Sequence, residues 1–233
     1  MSMKIYELVN DKTQLFKVFE EKLKQKIHVA APAKITSIDY EKQTLNAQIT
    51  IREKINGQLF GIPELLDVPF FVLGGGDYSL TFPIKKDDEC LIVFADSCID
   101  AWWQNGGMQN PIDPRRHDLS DGFALVGFKS QKNKLNNYSD ESFQIRRGEE
   151  VPIEIKDDSI IIQKGENEIK IEDDNIIISV EEETKIKIDK DGTILVKANE
   201  IKLDGTVKIN NKDFMSHVHS GGNQGANTGG VVS

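Results

Sequence analysis

The stretch "EIKIEDDNIIISVEEETKIKIDKDGTILV", residues 168–196, decides how the chain is read. Isoleucines alternate with Lys, Glu and Ser for a few residues, break at Asp173-Asp174, resume, and break again at Asp191-Gly192. A period of two marks a β-strand with one apolar face, and Asp-rich or Asp-Gly pairs are turn formers. The same unit recurs on both sides. It is found at Ile153-Glu154-Ile155, Ile160-Ile161-Ile162, Ile169-Lys170-Ile171, Ile176-Ile177-Ile178, Ile186-Lys187-Ile188, Ile194-Leu195-Val196, Ile201-Lys202-Leu203 and Val207-Lys208-Ile209. Further turns are expected at Asp157-Asp158 and Asp204-Gly205.

No aromatic residue occurs from 151 to 213, and the strands are too short and too alike to close an ordinary core. A single chain would leave apolar strand edges open. Three arrangements answer this: winding with identical chains into an intertwined trimeric β-helix or β-prism, a β-solenoid within one chain, or an antiparallel meander packed on the rest of the protein. The intertwined trimer is the favoured reading, because single-chain solenoids carry longer and more regular repeats. Residues 151–213 are therefore read as a spike-like shaft.

Beyond the shaft stands "DFMSHVHSGGNQGANTGG", residues 213–230, with two of the chain's four histidines one residue apart. On a strand, His217 and His219 project to the same face. If three chains meet on a threefold axis, six imidazoles come together, an octahedron that suits a six-coordinate first-row ion such as iron and is unlike the tetrahedral site zinc prefers. The following glycines let three backbones converge where side chains would collide. Residues 214–233 are read as a metal-binding apex with one structural iron per trimer. The plainer reading is a surface strand or a frayed tail.

Towards the N-terminus, residues 131–150 are polar and turn-rich and read as a connector. Residues 31–130 alternate in the manner of strands, with Asn56-Gly57 as a two-residue hairpin signal and apolar runs "LDVPFFVL", "DECLIVFAD" and "GFALVGF". About five strands and one long insertion point to a small Greek-key barrel of the OB-fold kind. Within residues 1–30, Ile5, Leu8, Phe16, Phe19, Leu23 and Ile27 recur at helical spacing, giving an amphipathic helix that packs on its own domain or on a partner. The fold class is mainly β.

The net charge of −9 and pI near 5.1 argue against nucleic acid as a partner. Cys90 and Cys98 sit in apolar surroundings, as buried free thiols do. The N-terminal residues lack the layout of a signal peptide, and no apolar run reaches the roughly 20 residues of a membrane-spanning helix, so synthesis in the cytoplasm is expected. An enzyme is not expected. His117 lies among Asp113, Asp118 and Asp121, but no nucleophile motif accompanies it, and a solvated loop accounts for it. Gly74-Gly75-Gly76 lacks the lysine of a phosphate loop, and His28 suits a helix end. Trp102 and Trp103 read as a strand pair, one in the core and one at an interface, or as a sugar-stacking platform.

The order of small barrel, short-strand prism and terminal His-x-His resembles the central spike proteins of contractile phage tails and related bacteriocins, the baseplate assembly protein V kind. "GGGDYSLTFPIKKDDECLIVFADSCIDAWWQNGG", residues 74–107, and "PRRHDLSDGFALVGF", residues 114–128, look like the N-terminal OB-fold domain of that family. Lys85-Lys86-Asp87-Asp88 stands where a Gly-Asp turn is usual. The resemblance implies a homotrimeric, non-enzymatic spike at the baseplate tip of a virion or tail-like particle. Such a spike pierces the bacterial cell envelope, is attached to a tail hub, and has an iron held by His217 and His219 of each chain. A receptor- or glycan-binding tail fibre is the alternative.

Overall fold

The computed structural model describes residues 12–55, 57–181 and 184–214. They form two compact units that divide between Lys134 and Leu135.

In the first unit, α1 (Lys12–Lys26) precedes β1 (Ala30–Asp39), β2 (Thr44–Ile49), β3 (Glu53–Ile55), β4 (Gln58–Phe60), β5 (Leu65–Pro69), β6 (Leu73–Gly75), β7 (Tyr78–Leu80), β8 (Glu89–Phe94), α2 (Asp100–Asn105) and β9 (Gly122–Val126). Five of these strands make an antiparallel sheet in the order β5-β2-β1-β8-β9. Its edges curl towards each other: Phe70 and Ala124 form a parallel bridge, and the Phe71 N–H donates to the Ala124 carbonyl at 2.8 Å. This is the partly open five-stranded Greek-key barrel that the alternation implied. Register irregularities between Ile35 and Ser37 in β1, and between Leu45 and Ala47 in β2, supply the bend that curling needs.

The core follows from the period of two. Leu45, Ala47 and Ile49 of β2 point inward, as do Cys90, Ile92 and Phe94 of β8 and Ala33 and Ile35 of β1. Small residues sit where the wall is tight: a Cβ on Gly122 would lie 2.9 Å from Ile92 Cγ2. Both cysteines are free and buried, and burial pushes the Cys90 thiol up to about 11, so it stays protonated and inert. β3 and β4 pair with Ile55 opposite Gln58, the two-residue hairpin expected at 56–57, with Gly57 at φ +85°.

Trp102 and Trp103 correct the strand reading. They lie on α2, a single six-residue helix, and both are half exposed, with Trp102 edge-on to Phe123 at 5.7 Å.

The second unit is a meander. β10 (Phe143–Arg147), β11 (Glu150–Ile155), β12 (Ser159–Lys164), β13 (Asn167–Glu172), β14 (Asn175–Val180), β15 (Thr184–Asp189) and β16 (Ile194–Lys197) pair antiparallel, each with its neighbours in sequence. A separate hairpin joins β17 (Lys208–Ile209) to β18 (Lys212–Asp213) through Asn210 and Asn211, both at positive φ, which asparagine tolerates. Within one chain the pairing is thus a meander and not a solenoid. Two local readings change. β10 rises from the stretch read as connector, and Ile201-Lys202-Leu203, read as a strand, is irregular.

Candidate functional site

The register of the second unit sorts its side chains into two unlike faces. On one, Phe143, Ile155, Ile160, Ile171, Ile176, Ile188 and Ile194 lie opposite one another in succession across all seven strands. Beside them runs a second row of Ile145, Ile153, Ile162, Ile169, Ile178, Ile186 and Val196. These are two unbroken apolar ladders, and exposure along them ranges from 37 % at Ile186 to 63 % at Ile194, with Ile153 partly buried. The opposite face interleaves charge with apolar groups: Glu154, Ile161, Lys170, Ile177, Lys187 and Leu195 follow one another across the sheet.

The usual order of burial is inverted here. Lys170 and Lys187 side chains are 31 % and 32 % exposed, less than the isoleucines behind them. Their stems lie along the sheet while the ammonium groups bond Glu172, and Asp189 at 2.7 Å, two residues on. Those pairings raise both lysine pKa values and lower that of Glu172, the side-chain hydrogen bond being the chief cause. At the start of the sheet, Glu154 Oε1 accepts from Gln144 Nε2 at 2.7 Å and from Ser142 Oγ at 2.8 Å, which holds the Glu154 carboxyl below its ordinary range. One face is therefore finished against water and the other is not.

The half-exposed apolar face amounts to roughly 1 kcal/mol per isoleucine if covered, or on the order of 10 kcal/mol per chain before the costs of association. Soluble monomers seldom leave so large a contiguous apolar patch open.

The first unit holds the titratable residues singled out above. Asp121 has no exposed surface; its carboxylate accepts from the Ile99 N–H at 2.9 Å and from Arg115 Nε at 2.7 Å, and Arg115 also donates to Asp100 at 2.8 Å. The hydrogen bonds to Asp121 and then Asp100 raise the Arg115 pKa. The loop carrying His117 is thereby pinned, not freely solvated. His117 sits at φ +48°, with Nε2 3.3 Å from Asp96 Oδ1 and Nδ1 without a hydrogen-bond partner. Arg116 donates to the same Asp96 at 2.5 Å. His28 stacks obliquely on Phe94 at 5.7 Å.

Among the described residues, Cys98, Asp100 and Asp121 bring possible ligand atoms within 4.8 Å of one another. Arg115 already donates to both carboxylates, so its guanidinium stands where a cation would compete. His217 and His219 lie outside the described residues. No helix among those residues is long and apolar enough to cross a membrane.

Residues 31–127 match the family described as the phage protein Gp138 N-terminal domain. No curated protein matches the chain. The matched segment runs from β1 to β9, so it is the barrel that is similar to a phage-protein domain, a likeness that supports a phage structural or tail role.

Proposed function

We propose that the chain is the central spike of a contractile phage tail or tail-like bacteriocin, a homotrimer that pierces the bacterial envelope when the sheath contracts. The observation that carries this reading is the pair of apolar ladders on the second unit. Three copies facing inward would bury both ladders against one another while the Lys- and Glu-bearing faces stay in water, giving a β-prism with no strand that peels away cheaply. A phage-protein domain at residues 31–127 fits the same role. The chain acts mechanically in this reading and has no catalytic step. Its partners are two copies of itself and the baseplate or hub. At the apex, His217 and His219 of each chain would hold one structural iron with no open coordination position.

Native mass spectrometry paired with elemental analysis tests assembly and metal in one sample. A trimer carrying one iron is the expected result. A metal-free trimer removes the apex from the proposal, and a monomer overturns the prism. The second reading, a glycan-binding fibre, is favoured by the two half-exposed tryptophans on α2. Specific retention on a glycan array that is lost in Trp103→Ala would establish it in place of the spike.

A further inference from the structure

The tripeptide Asp-Gly-Thr occurs twice in the second unit, in "KDGTILV" (residues 190–196) and in "LDGTVKI" (residues 203–209). An Asp-Gly bond is chemically vulnerable, because glycine has no Cβ to shield its amide nitrogen from the preceding carboxyl. The same three residues thus stand in two settings within one chain.

The first copy is locked. It forms the turn between β15 and β16, where the Gly192 N–H donates to the Asp189 carbonyl at 3.0 Å and the Thr193 N–H donates to Asp191 Oδ1 at 2.9 Å. The bond from Thr193 is the chief cause of a lowered Asp191 pKa, which keeps this carboxyl ionised and without a hydroxyl to lose. The second copy follows the irregular Ile201-Lys202-Leu203 and is open. Asp204, Gly205 and Thr206 are all exposed, and among the described residues neither the Asp204 carboxyl nor the Gly205 N–H has a hydrogen-bond partner. Gly205 sits at φ +107°, and a Cβ there would meet nothing within 4 Å.

Two related bonds in the first unit are guarded as well. At Asn105-Gly106, the Gly106 N–H donates to the Trp102 carbonyl at 2.8 Å and Asn105 Nδ2 to the Ala101 carbonyl at 3.0 Å. At Asp121-Gly122 the acid is buried and bound by Arg115.

We propose that Asp204 is a site of spontaneous covalent modification, at which the backbone rearranges to isoaspartate. The Gly205 nitrogen attacks Cγ of the protonated Asp204 carboxyl; the N–Cγ bond forms, and the hydroxyl leaves with the nitrogen's proton as water. Water then opens the five-membered succinimide. Addition at Cγ restores aspartate. Addition at the backbone carbonyl carbon breaks that carbon's bond to nitrogen and leaves the chain running through Cβ and Cγ, with mass unchanged. The main chain gains one atom just ahead of the β17–β18 hairpin, and the old α-carboxylate becomes the side branch.

The test is to age the full-length chain in warm buffer at about pH 5, close enough to the ordinary Asp pKa of about 3.9 that the acid form is present. Tryptic peptides 203–208 and 191–197 are then quantified by mass spectrometry against synthetic isoaspartyl standards. Roughly tenfold more isoaspartate is expected at 204 than at 191, since attack at 191 must wait for local opening. In urea the two copies should react at similar rates. Asp204→Glu, whose longer side chain closes a six-membered ring far more slowly, should strip the aged, folded chain of most of its methyl acceptance from S-adenosylmethionine by an isoaspartyl methyltransferase. Circular dichroism checks that variant, and if it fails to fold, the comparison within the wild-type chain decides. Equal accumulation at both sites in the folded chain overturns the proposal, as does a preference for 204 that persists unchanged in urea. So does a folded chain unreactive at 204 whose unfolded form reacts at both sites, the result expected if other copies hold residues 204–205.

Discussion

Asp121 shows how little of a residue's role is visible in its neighbours along the chain. In "RRHDLSDGF" it looks like one more acid in a solvated loop, yet it is fully buried and ties Arg115, six residues back, to the Ile99 backbone, 22 back. The long-range partner decides its burial, and no local pattern marks it. Asp121→Ala leaves the Arg115 charge half satisfied and two donors idle, so roughly 3–5 kcal/mol of barrel stability should be lost on chemical denaturation. Glu89 offers a pH handle. Its carboxylate accepts from the Ser130 N–H, Ser130 Oγ and Asn133 Nδ2, with the Ser130 N–H the largest cause of a lowered pKa. A lowered folded-state pKa contributes stability that is complete above the unfolded value near 4.3 and drains away as pH falls through the folded one. Melting temperature should therefore fall more steeply below about pH 4 in the wild type than in Glu89→Gln.

At the level of elements, the reading succeeded where local chemistry repeats. Six of the eight Ile-x-Ile units between 151 and 209 are strands of the meander, because alternation and Asp-rich turns are self-contained signals. β10 escaped notice because Phe143 and Ile145 sit between Ser, Gln and Arg, too few apolar positions to show a period. Ile201-Lys202-Leu203 was over-read for the opposite reason: it has the alternation but, in the structure, no ladder partner. α2 hid behind the β-preference of its tryptophans, and the Phe70–Ala124 closure joins positions 54 residues apart (124 − 70) that no short window connects. The faces themselves yield a sharp test. Ile177 pairs with Lys170 and Lys187 on the mixed face, whereas Ile178, the next residue, pairs with Ile169 and Ile186 in an apolar ladder. On the proposed trimer, Ile178→Lys should give single chains in analytical ultracentrifugation, while Ile177→Lys should leave the mass unchanged.

For the whole molecule, the two units have unequal claims to independence. The barrel encloses twelve buried core residues of its own, and the meander leaves both apolar ladders uncovered. On the proposed trimer, calorimetry of the full chain is expected to show two transitions, of which only that of the meander moves to higher temperature as protein concentration rises, since mass action would stabilise a unit held by other copies. Legibility divides in the same way. Each fold could be read within one chain, whereas the cover that the trimer reading gives the ladders comes from further copies, which no local pattern spells out.

Because every strand of the meander pairs solely with its sequence neighbours, the sheet behaves as a ruler graduated in hairpins. Excising or duplicating two successive strands restores the antiparallel direction and keeps Ile opposite Ile, so the ladders close over the splice. Each such edit changes length by about 9.6 Å, two strand spacings. A single-strand edit reverses the direction of everything beyond it. The reach of the second unit is thus heritable in discrete steps, adjustable by simple tandem duplication without redesigning a core.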